Sequence, residues 1–297
     1  MTPTRERVQH AVAELGYVSN SAAASLRSGR TQTFGLVMSA VMNPYFNDVV
    51  TGIEKSTVAS GYSLLLADHR DEAELEYRSV LNLGTHKVDG LLLQPSADPS
   101  RAVEFLRERS VPTVFVDRFD TSGGADGYDF AGTENHDATV EVVRHLIEHG
   151  HRRVGMVSGQ AGSSTTEERI SGGYRTALDA AGLPLDPALI EPGHSDEKLA
   201  ERATHTLLDL EDPPTALFSG NNRMTIGIMQ ALRTRGIVPP EGIALGVFDD
   251  FPWADLFIPP LDLRRPTRRG DRRGQRRVAP ASDRRPRSTR RDGKIRH

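Results

Sequence analysis

The sequence contains no cysteine among its 297 residues. This excludes disulfide bonds, thiolate catalysis and cysteine-based zinc sites, and it fits the reducing cytoplasm in which we expect the protein to reside. No stretch approaches the roughly 18 apolar residues that a transmembrane helix needs. The first ten residues lead into no apolar segment of a secretory signal. We therefore expect no membrane partner.

Several enzyme motifs are also missing. The chain has no Gly-x-Ser-x-Gly, no phosphate-binding Gly-x-x-x-x-Gly-Lys-Ser/Thr, no Gly-x-Gly-x-x-Gly and no His-Glu-x-x-His. His145 and His149 share a helical face close to His151, but the sequence places no carboxylate to complete a metal site. Such a cluster is more typical of a helix C-terminus. We expect a protein that is not an enzyme and that uses neither metal nor cofactor.

Charge is divided unevenly along the chain. Residues 264–297 hold 14 Arg, one Lys and three Asp, a net charge of +12, whereas the whole chain carries −3. The rest of the chain is therefore strongly acidic, and its general field does not attract a polyanion. The basic segment has almost no apolar residues, which predicts an Arg-rich disordered tail.

In residues 32–263, short apolar runs alternate with helical patterns. The runs are Thr33–Val41, Tyr62–Ala67, Val88–Leu93, Pro112–Val116, Arg153–Val157, Thr215–Phe218 and Ile243–Phe248. The helical stretches are Tyr45–Ala59, Glu72–Gly84, Ser100–Arg109, His136–His149, Glu168–Ala181, Glu197–Leu210 and Met224–Arg235. Glycines that suit helix C-caps stand at positions 61, 84, 150, 182 and 236. This alternation predicts an α/β fold of parallel sheets covered by helices on both faces.

One interruption divides the alternation into two halves. Asp120–Asp129 is rich in Gly and Asp and is typical of a loop or crossover. We therefore predict two similar lobes, at about 32–132 and 133–263, within an effector-binding core spanning 32–263. Ligands of open α/β sheets bind at the carboxyl ends of the strands, and in two lobes these ends can face each other across a cleft.

The ordered motifs of residues 4–261 resemble the lactose-repressor (LacI/GalR) family of transcription regulators. Residues 4–47 carry TRERVQHAVAELGYVSNSAAASLRSGRTQTFGLVMSAVMNPYFN; VDGLLLQP, VFVDR, HLIEHGHRRVGMVSG, ERISGGYRTALDAAGL and VFDDFPWADLFIPPL follow in the family's order. The resemblance implies a two-lobed core like that of periplasmic binding proteins, which binds a small effector and forms a homodimer. It also implies a helix-turn-helix headpiece and a hinge helix before the core, here a partial headpiece and hinge within 1–31.

The sequence departs from the family at both ends. The first two headpiece helices, including the one that reads the major groove, are absent, so we expect impaired operator binding. After the PPL segment the family continues with further helices and a strand, whereas this chain turns to paired arginines. This change favours a shifted reading frame in GC-rich DNA over a genuine basic tail.

The hinge residues come first among the candidate sites. The resemblance makes Leu26 the residue that wedges into the central base step of the minor groove, where an apolar side chain unstacks and kinks DNA. A small residue such as Ala24 lets two hinge helices approach each other. The candidate phosphate contacts are Asn20, Ser21, Arg27 and Arg30. The alternative is a short linker helix with Leu26 packed on the core.

The candidate effector site consists of polar and aromatic residues that follow predicted strands and match the family's effector-contacting positions. They are Asn43, Tyr45, Phe46, Asp117, Arg118, Asn221 and Asp249. Arg169 joins them with one departure: the family has two residues between this arginine and a Gly-aromatic pair, whereas here three intervene. Helix caps or surface salt bridges are the alternative roles. Paired donors and acceptors with aromatic rings suit a sugar or related polar metabolite, and a purine stays open.

These expectations favour an effector-controlled transcription regulator that acts on operator DNA, and the family resemblance implies that it is a repressor. Three alternatives remain open. The first is a soluble sugar-binding protein of a transport system, and the second a nucleic-acid-binding protein acting through its Arg-rich tail. The third is a non-functional gene fragment.

Overall fold

The computed structural model describes residues 29–39, 43–85, 88–119 and 127–249, together with the single positions Arg7, His10, Ala11 and Glu14. The hinge candidates Asn20, Ser21, Ala24, Leu26 and Arg27 lie outside these residues, as does the Arg-rich segment. Arg30 is described and exposed. Within the described ranges, no helix is both long and apolar enough to cross a membrane.

The first sheet has five strands in the order β2-β1-β3-β4-β5, and every neighbouring pair is parallel. The strands are β1 (Thr33–Met38), β2 (Ser63–Asp68), β3 (Gly90–Leu93), β4 (Thr113–Val116) and β5 (Asp129–Ala131). The connecting helices are α1 (Pro44–Ala59), α2 (Ala73–Thr85) and α3 (Ser100–Glu108).

The second sheet has four parallel strands in the order β7-β6-β8-β9. The strands are β6 (Val154–Ser158), β7 (Ile190–Pro192), β8 (Ala216–Ser219) and β9 (Ala244–Val247). Its helices are α4 (Asn135–Glu148), α5 (Ser164–Glu167), α6 (Arg175–Ala180), α7 (Glu197–Leu208) and α8 (Asn222–Thr234), with a π-helix at Glu168–Tyr174 and a 3-10 turn at Pro187–Leu189.

Each sheet has a separate apolar core on each face. In the first sheet, Leu36 and Met38 pack towards α1, whereas Val37 packs towards α2 and α3. In the second sheet, Met156 packs towards α4 and α6, and Val157 towards α7 and α8. Side chains alternate across a strand, so neighbouring residues enter opposite cores. The predicted α/β fold of two parallel-sheet lobes is confirmed.

Four of the five glycines predicted to follow helix ends have the left-handed backbone of a C-cap: Gly61, Gly150, Gly182 and Gly236. The prediction for Gly84 is wrong, because α2 continues through it to Thr85. A Cβ at this position would lie 2.7 Å from the ring of Phe105 in α3. A side chain here would have to displace the Phe105 ring, so glycine allows the two helices to pack closely.

The predicted helix 168–181 is less regular than its periodicity indicates. Helical structure begins earlier, at Ser164, and widens into the π-helix before α6. A π-helical turn accommodates one more residue than an α-helical turn. The additional residue between Arg169 and the Gly-Tyr pair therefore fits without displacing Tyr174, which is fully buried and donates a hydrogen bond to the Val154 carbonyl oxygen (2.7 Å).

Two short strands were not predicted. β5 begins at Asp129, the last residue of the predicted loop, and β7 follows the 3-10 turn. Each has only three residues, and each lies at the edge of its sheet. Three residues give too short a pattern to show alternation, so pairing with a neighbouring strand determines these elements.

Candidate effector-binding cavity

A cavity of about 410 Å³ lies where the carboxyl ends of strands from both sheets meet. Ser39 and Asn43 reach it from the end of β1, and Asp117 from the end of β4. Asn221 follows β8, and Asp249 follows β9. The geometry agrees with the general position of ligands in open α/β sheets.

All eight sequence-predicted effector residues line this cavity: Asn43, Tyr45, Phe46, Asp117, Arg118, Arg169, Asn221 and Asp249. Arg30, the described member of the hinge set, is not among its lining residues. The eight residues come from both halves of the chain, and the fold therefore brings together side chains that are far apart in sequence.

Two of these residues also cap helices. Asn43 accepts a hydrogen bond from the Tyr45 backbone N–H (3.1 Å) at the start of α1. Asn221 accepts one from the Met224 backbone N–H (2.9 Å) at the start of α8, while its Nδ2 donates to Ser195 Oγ (2.8 Å). Capping satisfies a backbone donor that has no partner in the helix. It also fixes the direction in which each amide faces the cavity.

The first-lobe wall rests on a buried polar network. Gln94, which follows β3, accepts hydrogen bonds at Oε1 from Ser39 N (2.8 Å) and Ser39 Oγ (3.1 Å). Its Nε2 donates to Asp117 Oδ2 (2.8 Å), and its carbonyl oxygen lies 2.8 Å from His69 Nε2. A carbonyl oxygen can only accept, so His69 carries its proton on Nε2. Burial lowers the pKa of His69, which keeps its imidazole neutral.

Arg118 is held by an ion pair beside the network. Its Nη1 lies 2.7 and 3.0 Å from the two carboxylate oxygens of Asp71. The side chain of Arg118 is 8% exposed and that of Asp71 is 20% exposed. The pair is shielded from solvent, unlike the surface salt bridge that the sequence left open as an alternative.

The second-lobe wall contains a cation and a carboxylate in a desolvated environment. The Arg169 guanidinium lies 3.8 Å from the ring centroid of Phe248, and its Nη1 donates to the Gly220 carbonyl oxygen (2.9 Å). Its Nε is buried with no hydrogen-bond partner among the described residues. Burial raises the pKa of Asp249 to about 6, against the opposing effect of Arg169.

Tyr45 spans the two halves of the chain. Its hydroxyl shares a hydrogen bond with Thr133 Oγ1 (2.9 Å), and its ring meets that of Phe46 edge-on at 5.0 Å. Burial, with a smaller contribution from Asp117, raises the pKa of Tyr45 to about 12. The phenol therefore remains protonated and can both donate and accept.

Sequence reasoning missed several lining residues. They are Ser39, Asp68, Arg70, Asp71, Thr165, Thr166, His194, Ser195, Asp196 and Arg223. Asp68, Arg70 and Asp71 end or follow β2, so applying the strand-end rule to that predicted strand would have found them. His194 and Ser195 follow β7, the short strand that carried no recognisable pattern.

The described residues contain no group of three or more His, Cys, Asp or Glu that could hold a metal ion. His149 caps the C-terminus of α4, as its position in the sequence indicates, and its Nδ1 lies 2.8 Å from the His145 carbonyl oxygen. The polar groups that line the cavity are guanidinium, amide and hydroxyl donors together with carboxylate, amide and hydroxyl acceptors.

Together, the fold and cavity define a two-lobed ligand-binding protein of the periplasmic-binding-protein type. The family model described as periplasmic binding proteins and sugar binding domain of LacI family matches residues 31–257. The chain belongs to this LacI family.

Individual proteins agree with this assignment. The HTH-type transcriptional repressor PurR of Vibrio atlanticus (strain LGP32) is 32% identical over 90% of this chain and 79% of its own length. The ribose operon repressor of Escherichia coli (strain K12) is 31% identical over 86% of this chain and 76% of its own. A crystal structure described as a putative ribose operon repressor, from Burkholderia thailandensis, superposes with a TM-score of 0.71 at 32% identity, covering 82% of this chain and 90% of its own.

Proposed function

We propose that the chain is an effector-controlled transcriptional regulator of the repressor type, which binds operator DNA and acts as a cytoplasmic homodimer. Its role is binding rather than catalysis. The observation that carries the proposal is the cavity: donors and acceptors from both lobes surround one space large enough for a small metabolite. Family membership and the repressor names of its relatives support the regulatory role.

The proposed effector is an uncharged, sugar-like molecule. Five aspartates and four arginines line the cavity, so the opposite charges nearly balance. Asp117 and Asp249 offer acceptors, Arg118 and Arg169 offer donors, and Tyr45 offers an apolar ring face with a hydroxyl. This combination suits the alternating hydroxyl and C–H groups of a sugar ring. A purine base is the alternative occupant, because an aromatic ring can stack on it.

Effector binding would act by favouring one arrangement of the two lobes. Direct contacts already cross between the halves of the chain: Tyr45 bonds Thr133 (2.9 Å), and Asn222 Nδ2 donates to Asn43 Oδ1 (3.4 Å). A ligand held by both walls binds the closed arrangement better than the open one and so shifts the population. In the proposed regulator this shift alters the hinge residues that contact DNA, with Leu26 as the wedge.

A second copy of the chain is the proposed partner of the α1–β2 face. β2 is an edge strand of the first sheet, and its Leu65 and Leu66 are 47% and 45% exposed; Val58 of α1 is 58% exposed. An exposed apolar edge is normally covered. Light scattering should show a dimer that Leu66→Lys converts towards monomer. Val238→Lys, at a comparably exposed residue of the second lobe, is the control and should leave the mass unchanged.

The experiment that tests the effector site is thermal unfolding in the presence of pentoses, hexoses and purine bases, with D-ribose first. A compound present at 100 times its Kd should stabilise the protein by about 2.7 kcal/mol. Asp249→Ala should abolish this shift. Because the substitution also leaves the buried Arg169 guanidinium without a nearby carboxylate, the shift is measured against the variant's own melting temperature without ligand.

Asp179→Ala is the matched control, because Asp179 is an exposed carboxylate of the same lobe on α6. It should retain the full ligand shift. An undiminished shift in Asp249→Ala would remove this residue from the site, and selective stabilisation by a purine base would replace the sugar with the alternative effector.

A further inference from the structure

The carboxylate of Asp89 holds the point where the N-terminal segment joins the first sheet. Its Oδ1 accepts hydrogen bonds from the Thr31 backbone N–H (2.8 Å) and from Thr31 Oγ1 (3.0 Å). Its Oδ2 accepts one from the Gln32 backbone N–H (3.0 Å). One side chain thus receives three hydrogen bonds from two consecutive residues that are more than fifty positions away in sequence.

The backbone at this junction has an uncommon conformation that further contacts maintain. Gln32 has a φ of +51°, in the left-handed region that few non-glycine residues occupy. Its carbonyl oxygen accepts a hydrogen bond from Ser63 N (2.8 Å), and the Asp89 N–H donates to the Thr33 carbonyl oxygen (2.8 Å). Such a conformation persists where surrounding contacts determine it.

We propose that Asp89 is a positioning residue that fixes the backbone of Thr31 and Gln32, where the chain passes from the candidate DNA contacts into the effector-binding core. The inference gives the proposed regulator a defined joint between its two functional parts. The anchor itself rests on the contacts of Thr31, Gln32 and Asp89, and these do not depend on the identity of any effector.

The position of Asp89 also connects the joint to the cavity. Asp89 directly precedes β3, and Gln94 directly follows that strand and binds Asp117 in the cavity wall. The four residues of β3 lie between them, so the two Cα atoms are roughly 16 Å apart along the extended chain. A displacement of β3 when the cavity is occupied would therefore carry the anchor with it, without an intervening loop.

The test measures amide hydrogen exchange of Thr31 and Gln32 in the full chain. Asp89→Ala removes both acceptor oxygens and with them all three hydrogen bonds, so we expect exchange at both amides to rise by at least about tenfold. Thr31→Val removes only the hydroxyl donor and should have a smaller effect. Because that hydroxyl acts through Asp89, the double variant should exchange no faster than Asp89→Ala alone.

The Leu91 amide distinguishes positioning from general loss of structure. It donates to the Pro112 carbonyl oxygen (2.8 Å) within the sheet, and its exchange should stay unchanged in Asp89→Ala. Trypsin cleavage provides a second measurement: the Arg30–Thr31 bond should be cut faster in the variant, whereas the exposed Arg109–Ser110 bond should be cut at the native rate.

Asp129→Asn, at an exposed acidic residue that begins β5, is the matched control and should leave every rate unchanged. Asp89→Asn offers a milder change that keeps one acceptor oxygen, and it should raise exchange less than Asp89→Ala. Native exchange at Thr31 and Gln32 in both Asp89 variants would overturn the proposal. Equal acceleration at Leu91 would also overturn it, by showing that Asp89 supports the sheet rather than the joint.

Discussion

The two walls of the cavity are held in place by different kinds of contact. In the first lobe, hydrogen bonds of the buried Gln94 connect the ends of β1, β3 and β4. In the second lobe, the helices that carry Asn221 and Arg169 lie against their neighbours at glycines. A Cβ on Gly227 of α8 would approach the Glu197 carbonyl oxygen of α7 to 2.1 Å.

The two kinds of contact fix different features of the lobes: side-chain orientation in the first and helix spacing in the second. Hydrogen bonds fix the direction of single side chains, so the first-lobe wall presents Asp117 in one orientation. Close backbone packing instead fixes whole helices, and any change in spacing moves every residue on them. Gly173 of the π-helix follows the same principle, because a Cβ there would lie 2.4 Å from Thr139 of α4.

The largest effect should come from Gly227→Ala. The added methyl group meets the backbone of α7, which cannot rotate away, so α7 and α8 must separate. We expect the free energy of unfolding to fall by about 3 kcal/mol or more, measured by urea denaturation.

Gly52→Ala provides the control for this substitution in the first lobe. A Cβ on Gly52 of α1 has no atom within 4 Å, and alanine favours the helix over glycine by about 0.5–1 kcal/mol. The control should therefore stabilise the protein slightly. A loss at Gly227 no greater than about 0.5 kcal/mol would show that close packing does not hold the second-lobe wall.

Sequence periodicity identified the two lobes because long helices and buried strands follow one another in turn along the chain, and each is long enough to show its own apolar pattern. The effector candidates could also be found, since Asn43, Asp117, Asn221 and Asp249 all follow strands with clear apolar runs. The strand-end rule needs only the strand and its direction, and both are local features of the sequence.

The remaining features depend on contacts between distant residues. The three-residue strands β5 and β7 exist through pairing with neighbours, and the sequence gives no pattern for them. Gly84 was mistaken for a cap because packing against Phe105 in α3 is invisible in a local window. The additional residue after Arg169 departs from the family's spacing, and a π-helix, which no local pattern indicated, accommodates it.

A pH effect should come next, and its first-lobe part comes from a buried carboxylate of α2. Burial raises the pKa of Glu76 from 4.5 to about 7, although the Ser96 N–H donates to its Oε2 (2.6 Å). The folded state therefore binds this proton more tightly than the unfolded state. The contribution of this group to stability, about 3 kcal/mol, is fully present below pH 4.5 and is lost as pH rises through 7.

Glu76→Gln should remove this contribution, because the amide oxygen can still accept the Ser96 hydrogen bond and carries no titrating proton. The decline that remains belongs to Asp249, whose pKa is raised from 3.8 to about 6. Unfolding by urea at several pH values measures the difference between the variant and the native chain. Glu72→Gln, at an exposed residue just before α2, should retain the native pH dependence. Parallel pH profiles for the native chain and Glu76→Gln would contradict the prediction.

The smallest expected effect compares the stability cost of replacing one glutamine in each lobe. Gln94→Met conserves volume but leaves the Ser39 N–H and Asp117 Oδ2 without their partner, which should cost about 2 kcal/mol. Gln160→Met, at a partly exposed second-lobe residue whose Oε1 lies 3.0 Å from His194 Nδ1, should change stability by less than about 0.5 kcal/mol. If both substitutions lower the free energy of unfolding equally, buried hydrogen bonds stabilise the first-lobe wall no more than the second-lobe wall. If only Gln94→Met is destabilising, that wall depends on the orientation of a single amide, whereas the second depends on the spacing of helices.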